Sequence, residues 1–276
     1  MMLKIGTSEY KSDKEFSVNG YVRYVRGKYW EKLFHHPKIM GRLTTNLQSK
    51  YLSQIHELSD YDFSYWNIKT IQEEISRSLV SGVEASIIEL FEELSYEHSY
   101  NEDLKHNIHY YNGWKTNNAY KINKKVIIPL RAYSDKQFVN LYLFAAIRKL
   151  SDIEKVLNYL DNGETGEVDI GRELREADQR GNFRKIRLKY FEVTFYKKGT
   201  CHLTFTNERL LKKFNIFGSQ GKHWLPYDYG KRRYEEMSAE EQTVIESFEG
   251  RESYNETLQE SQYYLCGSHA LMLSAE

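Results

Sequence analysis

Glu192, Lys197 and His202 lie close together in the last third of the chain, and their types could do chemistry. A carboxylate and an imidazole in contact can pass a proton. A carboxylate with a lysine is part of what metal-dependent nucleases use to hold Mg²⁺ and orient water. Whether they act together is decided by residues 191–205, FEVTFYKKGTCHLTF. Apolar side chains take the odd positions (Phe191, Val193, Phe195, Cys201, Leu203, Phe205). Polar or amphipathic ones take the even positions (Glu192, Thr194, Tyr196, Thr200, His202, Thr204). That alternation, with Gly199 between the arms, predicts a β-hairpin with one buried face and sets Glu192, Tyr196 and His202 on the other. A nuclease needs further carboxylates. No Asp precedes Glu192 on a partner strand, and Asp169 and Asp178 fall in a helical lead-in. Glu192 and His202 are the catalytic candidates, short of a second carboxylate.

Other chemistries find less. Cys201 and His202 are neighbours on a strand, so they point to opposite faces and cannot share a proton. His106 and His109 have helical spacing, with Glu102 and Asp103 nearby, and His35 adjoins His36. Zinc sites need three or four ligands at tighter spacing, so no metal centre is expected. No phosphate loop, dinucleotide fingerprint or nucleophile elbow is present, and no cofactor is expected.

The stronger pattern is cations among aromatics. Residues 180–233 hold fourteen Lys and Arg against three Asp and Glu, a net +11, while the total charge of the chain is zero. Cations for phosphates and aromatic rings for bases are what single-strand binding uses. The expected contacts, to nucleic acid or a partner, are Lys185, Arg187, Lys197, Lys198, Lys222, Trp224, Tyr227, Tyr229, Lys231, Arg232 and Arg233. Acidic blocks at 57–103 (net −10) and 234–276 (net −9) could neutralise this charge in the fold, and exposed Tyr, Trp and Arg also suit protein interfaces.

The elements that must position these residues can be read in part. Pairing of odd with odd gives the hairpin register Phe195–Cys201, Val193–Leu203 and Phe191–Phe205. This leaves a three-residue loop, 197–199, with Gly199 left-handed. Residues 120–130, ending at Pro129 and Leu130, suggest a companion strand. Apolar residues from Ile68 to Leu94 at steps of three or four predict a long helix capped by Asn67, with Gly82 marking a close crossing. Helices on either side of Pro37 are expected before it. SDKQ at 134–137 and SDIE at 151–154 look like capping boxes opening two successive helices. Asn207 caps a helix that Gly218 stops, and Ser238 opens a third capping box whose helix Gly250 ends. The expected fold is α+β, with helices packed on a small antiparallel sheet centred on the 190–206 hairpin. Its parts are a mainly helical region at 1–104, an α+β core with the basic hairpin block at 105–233, and an acidic helical tail at 234–276 that docks on the core.

Two cysteines, Cys201 and Cys266, make no disulfide framework, which fits a reducing cytosol. No apolar run has the length of a signal peptide or a membrane span, so a cytoplasmic protein (host cytoplasm if viral) with no membrane partner is expected. Homo-oligomerisation is consistent with the aromatic content.

The series YWEKLF, NGWKTNNAYKINKKVIIP, FYKKGTCHLTF, LLKKFN and WLPYDYG resembles a domain family of unknown function found in phages, plasmids and other mobile elements. Some of its members are fused to S-adenosylmethionine-dependent methyltransferase domains. The most specific residues of the resemblance are Lys198, Gly199, His202 and Phe205, with Phe214 and Asn215 downstream. This chain lacks the methyltransferase motifs, so that activity does not carry over. The resemblance implies a phage or mobile-element context and no established catalytic residues; with the +11 block at 180–233, the expectation is a non-enzymatic accessory protein engaging nucleic acid or the host proteins that process it. The alternatives are an anti-defence inhibitor that blocks a host nuclease complex of the Gabija type by protein contact, and a nuclease-like enzyme using Glu192 and His202.

Overall fold

A computed structural model describes residues 18–35, 43–95, 113–116, 119–130, 133–134, 137–138, 140–163, 165–166, 168–197 and 199–265, the side chains of 72, 74–81, 113–120 and 133–142 excepted. The fold is α+β: helices cover one face of a four-stranded antiparallel sheet. The first half holds α1 (Val18–Phe34), α2 (Thr45–Leu58) and α3 (Tyr65–Leu94). Strands β1 (Gly113–Thr116) and β2 (Ala119–Ile122) form a hairpin, β3 (Lys125–Ile128) follows, and β4 (Tyr133–Ser134) pairs with β5 (Gln137–Phe138). Then come α4 (Asn140–Asn162), α5 (Ile170–Gln179), β6 (Ile186–Arg187), β7 (Phe191–Tyr196), β8 (Thr200–Phe205) and α6 (Glu208–Gly221). A 3-10 turn (Tyr234–Glu236) precedes α7 (Ala239–Phe248), α8 (Arg251–Gln259) and α9 (Ser261–Tyr264). Among the described residues no helix is long and apolar enough to cross a membrane.

The hairpin has the expected register: Phe191 faces Phe205, Val193 faces Leu203 and Phe195 faces Cys201. Gly199 has φ +86°, the left-handed conformation that glycine adopts without a Cβ clash. All six odd side chains are buried. Burial pushes the Cys201 thiol up to about 12, so it is an inert core residue. Strand order is β3-β8-β7-β6, and the apolar face packs with Leu150, Ile153 and Leu157 of α4 in one core.

Several local expectations give way to tertiary structure. Residues 120–130 are two strands rather than one. β2 pairs back on β1, and only β3 joins the hairpin, through β8. The long helix begins earlier than expected: Ser64 is its cap and accepts from the Asn67 N–H. Ser134 faces Gln137 across the β4–β5 pair, so that spacing closes strands instead of capping a helix. Ser151 lies inside α4, because Ala146, Leu150, Ile153, Leu157 and Leu160 continue one buried stripe through it. The adjacent Asp152 serves elsewhere, accepting from the N–H of Thr45 (2.9 Å) at the start of α2, where the Thr44 side chain makes no capping bond. The Ser238 capping box forms in full.

Gly82 does mark a close crossing: a Cβ there would lie 2.6 Å from a terminal methyl of Leu47. Gly218 does not stop α6, which runs on to Gly221. It presses on the fully buried Phe91 ring, and an added Cβ would sit 2.2 Å from Cγ. Gly218→Ala is expected to lower stability by about 1–3 kcal/mol from overpacking. This outweighs the helix propensity it gains, about 1 kcal/mol. Gly82→Ala, meeting only a movable methyl, is expected to be near neutral. Thermal unfolding of the two variants side by side checks this, and equal melting temperatures would refute it.

Candidate functional site

The even positions of the hairpin build one face of the sheet. Glu192 pairs with Thr204, Thr194 with His202 and Tyr196 with Thr200. β3 adds Lys125 opposite Thr204 and Ile127 opposite His202, and β6 adds Arg187 opposite Glu192. These side chains are half-buried or exposed, in contrast to the core face.

Glu192 and His202 are on this face, but no hydrogen bond or ion pair joins them. The carboxylate accepts from Arg187 Nε at 3.1 Å. The imidazole lies against Tyr196, ring centroids 4.2 Å apart and planes 41° apart, and its Nδ1 is buried without a hydrogen-bond partner among the described residues. Burial, and then the nearby Lys125 charge, hold His202 below its usual range, so it is neutral at pH 7. Glu192 is committed to a guanidinium and His202 to an aromatic contact, so neither is set to pass a proton to the other. Among the described residues no group of three or more His, Cys, Asp or Glu side chains is arranged to hold a metal ion.

The rim of the face is cationic. The chain before β6 runs along β7, with Phe195 N–H donating to Phe183 O (2.9 Å) and Lys185 N–H to Thr194 Oγ1 (3.0 Å). Lys185 takes φ +49° there, a conformation that costs an L-residue about 1 kcal/mol or more. Arg184, Lys185 and Lys197 are exposed and make no ion pair among the described residues. Arg187 keeps 88% of its side chain exposed despite its bond to Glu192. Lys198 lies outside the described residues.

The rest of the basic block is elsewhere. Arg209, Lys212 and Lys213 are on α6, whose fourteen residues span about 21 Å, and Lys222, Lys231, Arg232 and Arg233 follow its C-terminus. Lys222 pairs with Glu92, and Arg232 pairs with Asp228 (2.9 Å) and Glu241 (2.7 Å). Trp224 is half-buried between two core clusters. Tyr229 was expected on the contact surface, but it is fully buried. Its ring packs edge-on to Phe248 and Tyr254, and its hydroxyl donates to Glu249. Tyr227, 95% exposed, Lys231, whose Nζ lies 5.8 Å from the Tyr227 ring centre, and Arg233 are exposed there. Acidic residues of the tail thus take up part of the basic charge; Arg209 with Glu260 and Lys212 with Glu249 are further instances.

Tyr196 and Lys125 were not among the expected contacts, although parity reveals both once β3 is placed against β8. A groove of about 660 Å³ between α1 and α2 lies away from the sheet. Arg23 there is held by Asp60, and Lys28 by Glu31.

Fold and site together define an α+β protein that leaves one face of a small antiparallel sheet accessible, with cations along its edge. The chain belongs to the family of the domain of unknown function DUF4942, which matches it over residues 22–224. That span takes in the whole sheet and α6 and stops before α7. Comparison with curated proteins and with solved structures finds no match.

Proposed function

We propose that this chain is a non-enzymatic accessory protein of phages or mobile elements that engages nucleic acid along the β6–β7 edge of its sheet. The supporting observation is the group of exposed cations on one rim: Arg184, Lys185 and Lys197 without ion pairs among the described residues, beside the extended Arg187. Such a group neutralises backbone phosphates and releases counterions. Fluorescence anisotropy with labelled oligonucleotides tests it. The triple variant Lys185→Gly, Arg187→Gln, Lys197→Gln is expected to weaken binding at least about 10-fold and to flatten the salt dependence by two to three units of slope, roughly one per lost contact. Glycine suits φ +49°, so this change removes a charge without adding strain. Unchanged affinity and slope would refute the proposal.

A second reading has its own observation. Tyr65 and Trp66, at the start of α3, are 78% and 76% exposed, with Tyr61 nearby at 59%. Exposed aromatics of this kind anchor protein interfaces, so they favour contact with a host protein complex such as a Gabija-type nuclease. Affinity purification from a host cell, with and without nuclease treatment, separates the two: loss of partners on treatment favours nucleic acid, and their retention favours protein.

A further inference from the structure

We infer that the accessible sheet face takes single-stranded nucleic acid, DNA or RNA, by stacking a base on the Tyr196–His202 pair. This rests on the reading above that the chain binds nucleic acid at its sheet edge. Tyr196 is on β7 and His202 on β8, the two central strands; Tyr196 pairs with Thr200 of β8, and β3 flanks β8 at His202 through Ile127. The Tyr196 ring is backed by the imidazole at 4.2 Å and keeps 38% of its surface exposed. A backed, partly exposed ring presents a flat apolar surface at small entropic cost, because the side chain is already ordered.

The surroundings match a single strand. Lys197 directly follows Tyr196 in sequence, Lys185 is tied to Thr194, and Arg187 lies one pair further along. Phosphates therefore meet cations beside the ring, while a base meets the ring itself. Thr194, Thr200 and Thr204 supply hydroxyls around the platform without bulk or charge. In a duplex the base faces are already stacked on one another and cannot reach Tyr196. Single strands offer a π-face at every base, and aromatic platforms with cationic rims bind them with little sequence preference.

The experiment uses the full chain and three labelled probes: a short oligo(dT), the matching oligo(U), and a DNA duplex of the same length. Wild type is expected to prefer one or both single strands over the duplex, and the two single-strand arms identify which nucleic acid it takes. Tyr196→Ala is expected to weaken single-strand binding about 10-fold or more with the salt slope unchanged, and Tyr196→Phe, which keeps the ring, to bind as wild type. Circular dichroism melts establish that both variants are folded. If Tyr196→Ala binds as wild type while the triple cation variant is weakened, stacking is refuted and nucleic-acid binding stands. Equal loss in Tyr196→Ala and Tyr196→Phe, or equal weakening of duplex and single strand, also refutes stacking. If no probe binds, both readings fall.

Discussion

Replacing Glu249 by alanine is expected to cost about 3–5 kcal/mol of folding stability, the range for breaking a buried pair by removing one partner. Only 7% of the Glu249 side chain is exposed, and 18% of its partner Lys212. Its carboxylate accepts from four groups: the Tyr229 hydroxyl, Thr257 Oγ1 (3.2 Å), Ser253 Oγ (2.9 Å) and Lys212 Nζ (3.2 Å). These come from the loop after α6, from α8 and from α6 itself, so one residue ties the C-terminal helices to the core. Alanine would leave the Tyr229 hydroxyl buried without an acceptor, and Lys212, which also donates to Ser253 O and Oγ (both 2.7 Å), with Glu256 at 3.6 Å as its carboxylate partner. Glu249→Gln keeps an acceptor for Tyr229 and loses only the charge, so it should fall between the two. Urea unfolding measures all three proteins, and a Glu249→Ala loss below about 1 kcal/mol would show that the network does not hold the tail. The same site predicts a loss of stability in base. Burial and then the Glu249 charge raise the Tyr229 hydroxyl well above its ordinary range. The native state therefore retains a proton that the unfolded chain gives up above about pH 10. Stability contributed by this group is complete below that pH and falls as pH rises beyond it.

What the sequence made legible was whatever depends on near neighbours. Parity alone determined the hairpin register, because a slip of one residue would turn Phe191, Val193 and Phe195 to solvent. The Ser238 capping box formed because both halves of the motif lie within one turn. The same type of pattern failed at Ser134 and Ser151. A short polar pattern is compatible with a cap, a turn or a helix interior, and distant packing chose among them: the pairing of Ser134 with Gln137, and the buried stripe running past Ser151 in α4. The candidate face was half legible. Tyr196 and His202 could be placed together from the hairpin, but Lys125 needed the pairing of β3 with β8. Lys185, Arg187 and Lys197 were named from the sequence, but which members of the basic block would be taken up by carboxylates was not legible. Lys222 is taken up by Glu92, 130 residues away, and Arg209 by Glu260, 51 away, and no local window reports such pairs. Tyr229 misled for a related reason: a basic, turn-rich setting suggested exposure, whereas burial of an aromatic ring with a satisfied hydroxyl is the more stable outcome.

Asn215 shows how a residue that stands out in sequence can act through architecture, and its loss is the second large effect expected. It lies in α6, buried, with its side-chain amide spread across the backbone of Ile122 in β2. Oδ1 accepts from the Ile122 N–H at 2.7 Å, and Nδ2 donates to the Ile122 C=O at 3.1 Å. Ile122 is itself buried, so water does not supply these partners. The neighbouring Phe214 packs edge-on to Phe91 with ring centroids 5.9 Å apart, so adjacent residues fix α6 against β2 and α3. Asn215→Leu preserves volume and leaves two buried backbone groups unsatisfied, each costing about 1–3 kcal/mol, so a total loss of roughly 2–6 kcal/mol is expected. Asn215→Asp keeps the acceptor but loses the donor and buries a charge, so it should be no better than leucine. Chemical denaturation gives the stability change, and amide hydrogen exchange at Ile122 gives its location. Faster exchange there, with the β7–β8 amides still protected, is the expected result; an Asn215→Leu protein as stable as wild type would remove this bridge from the account of the fold.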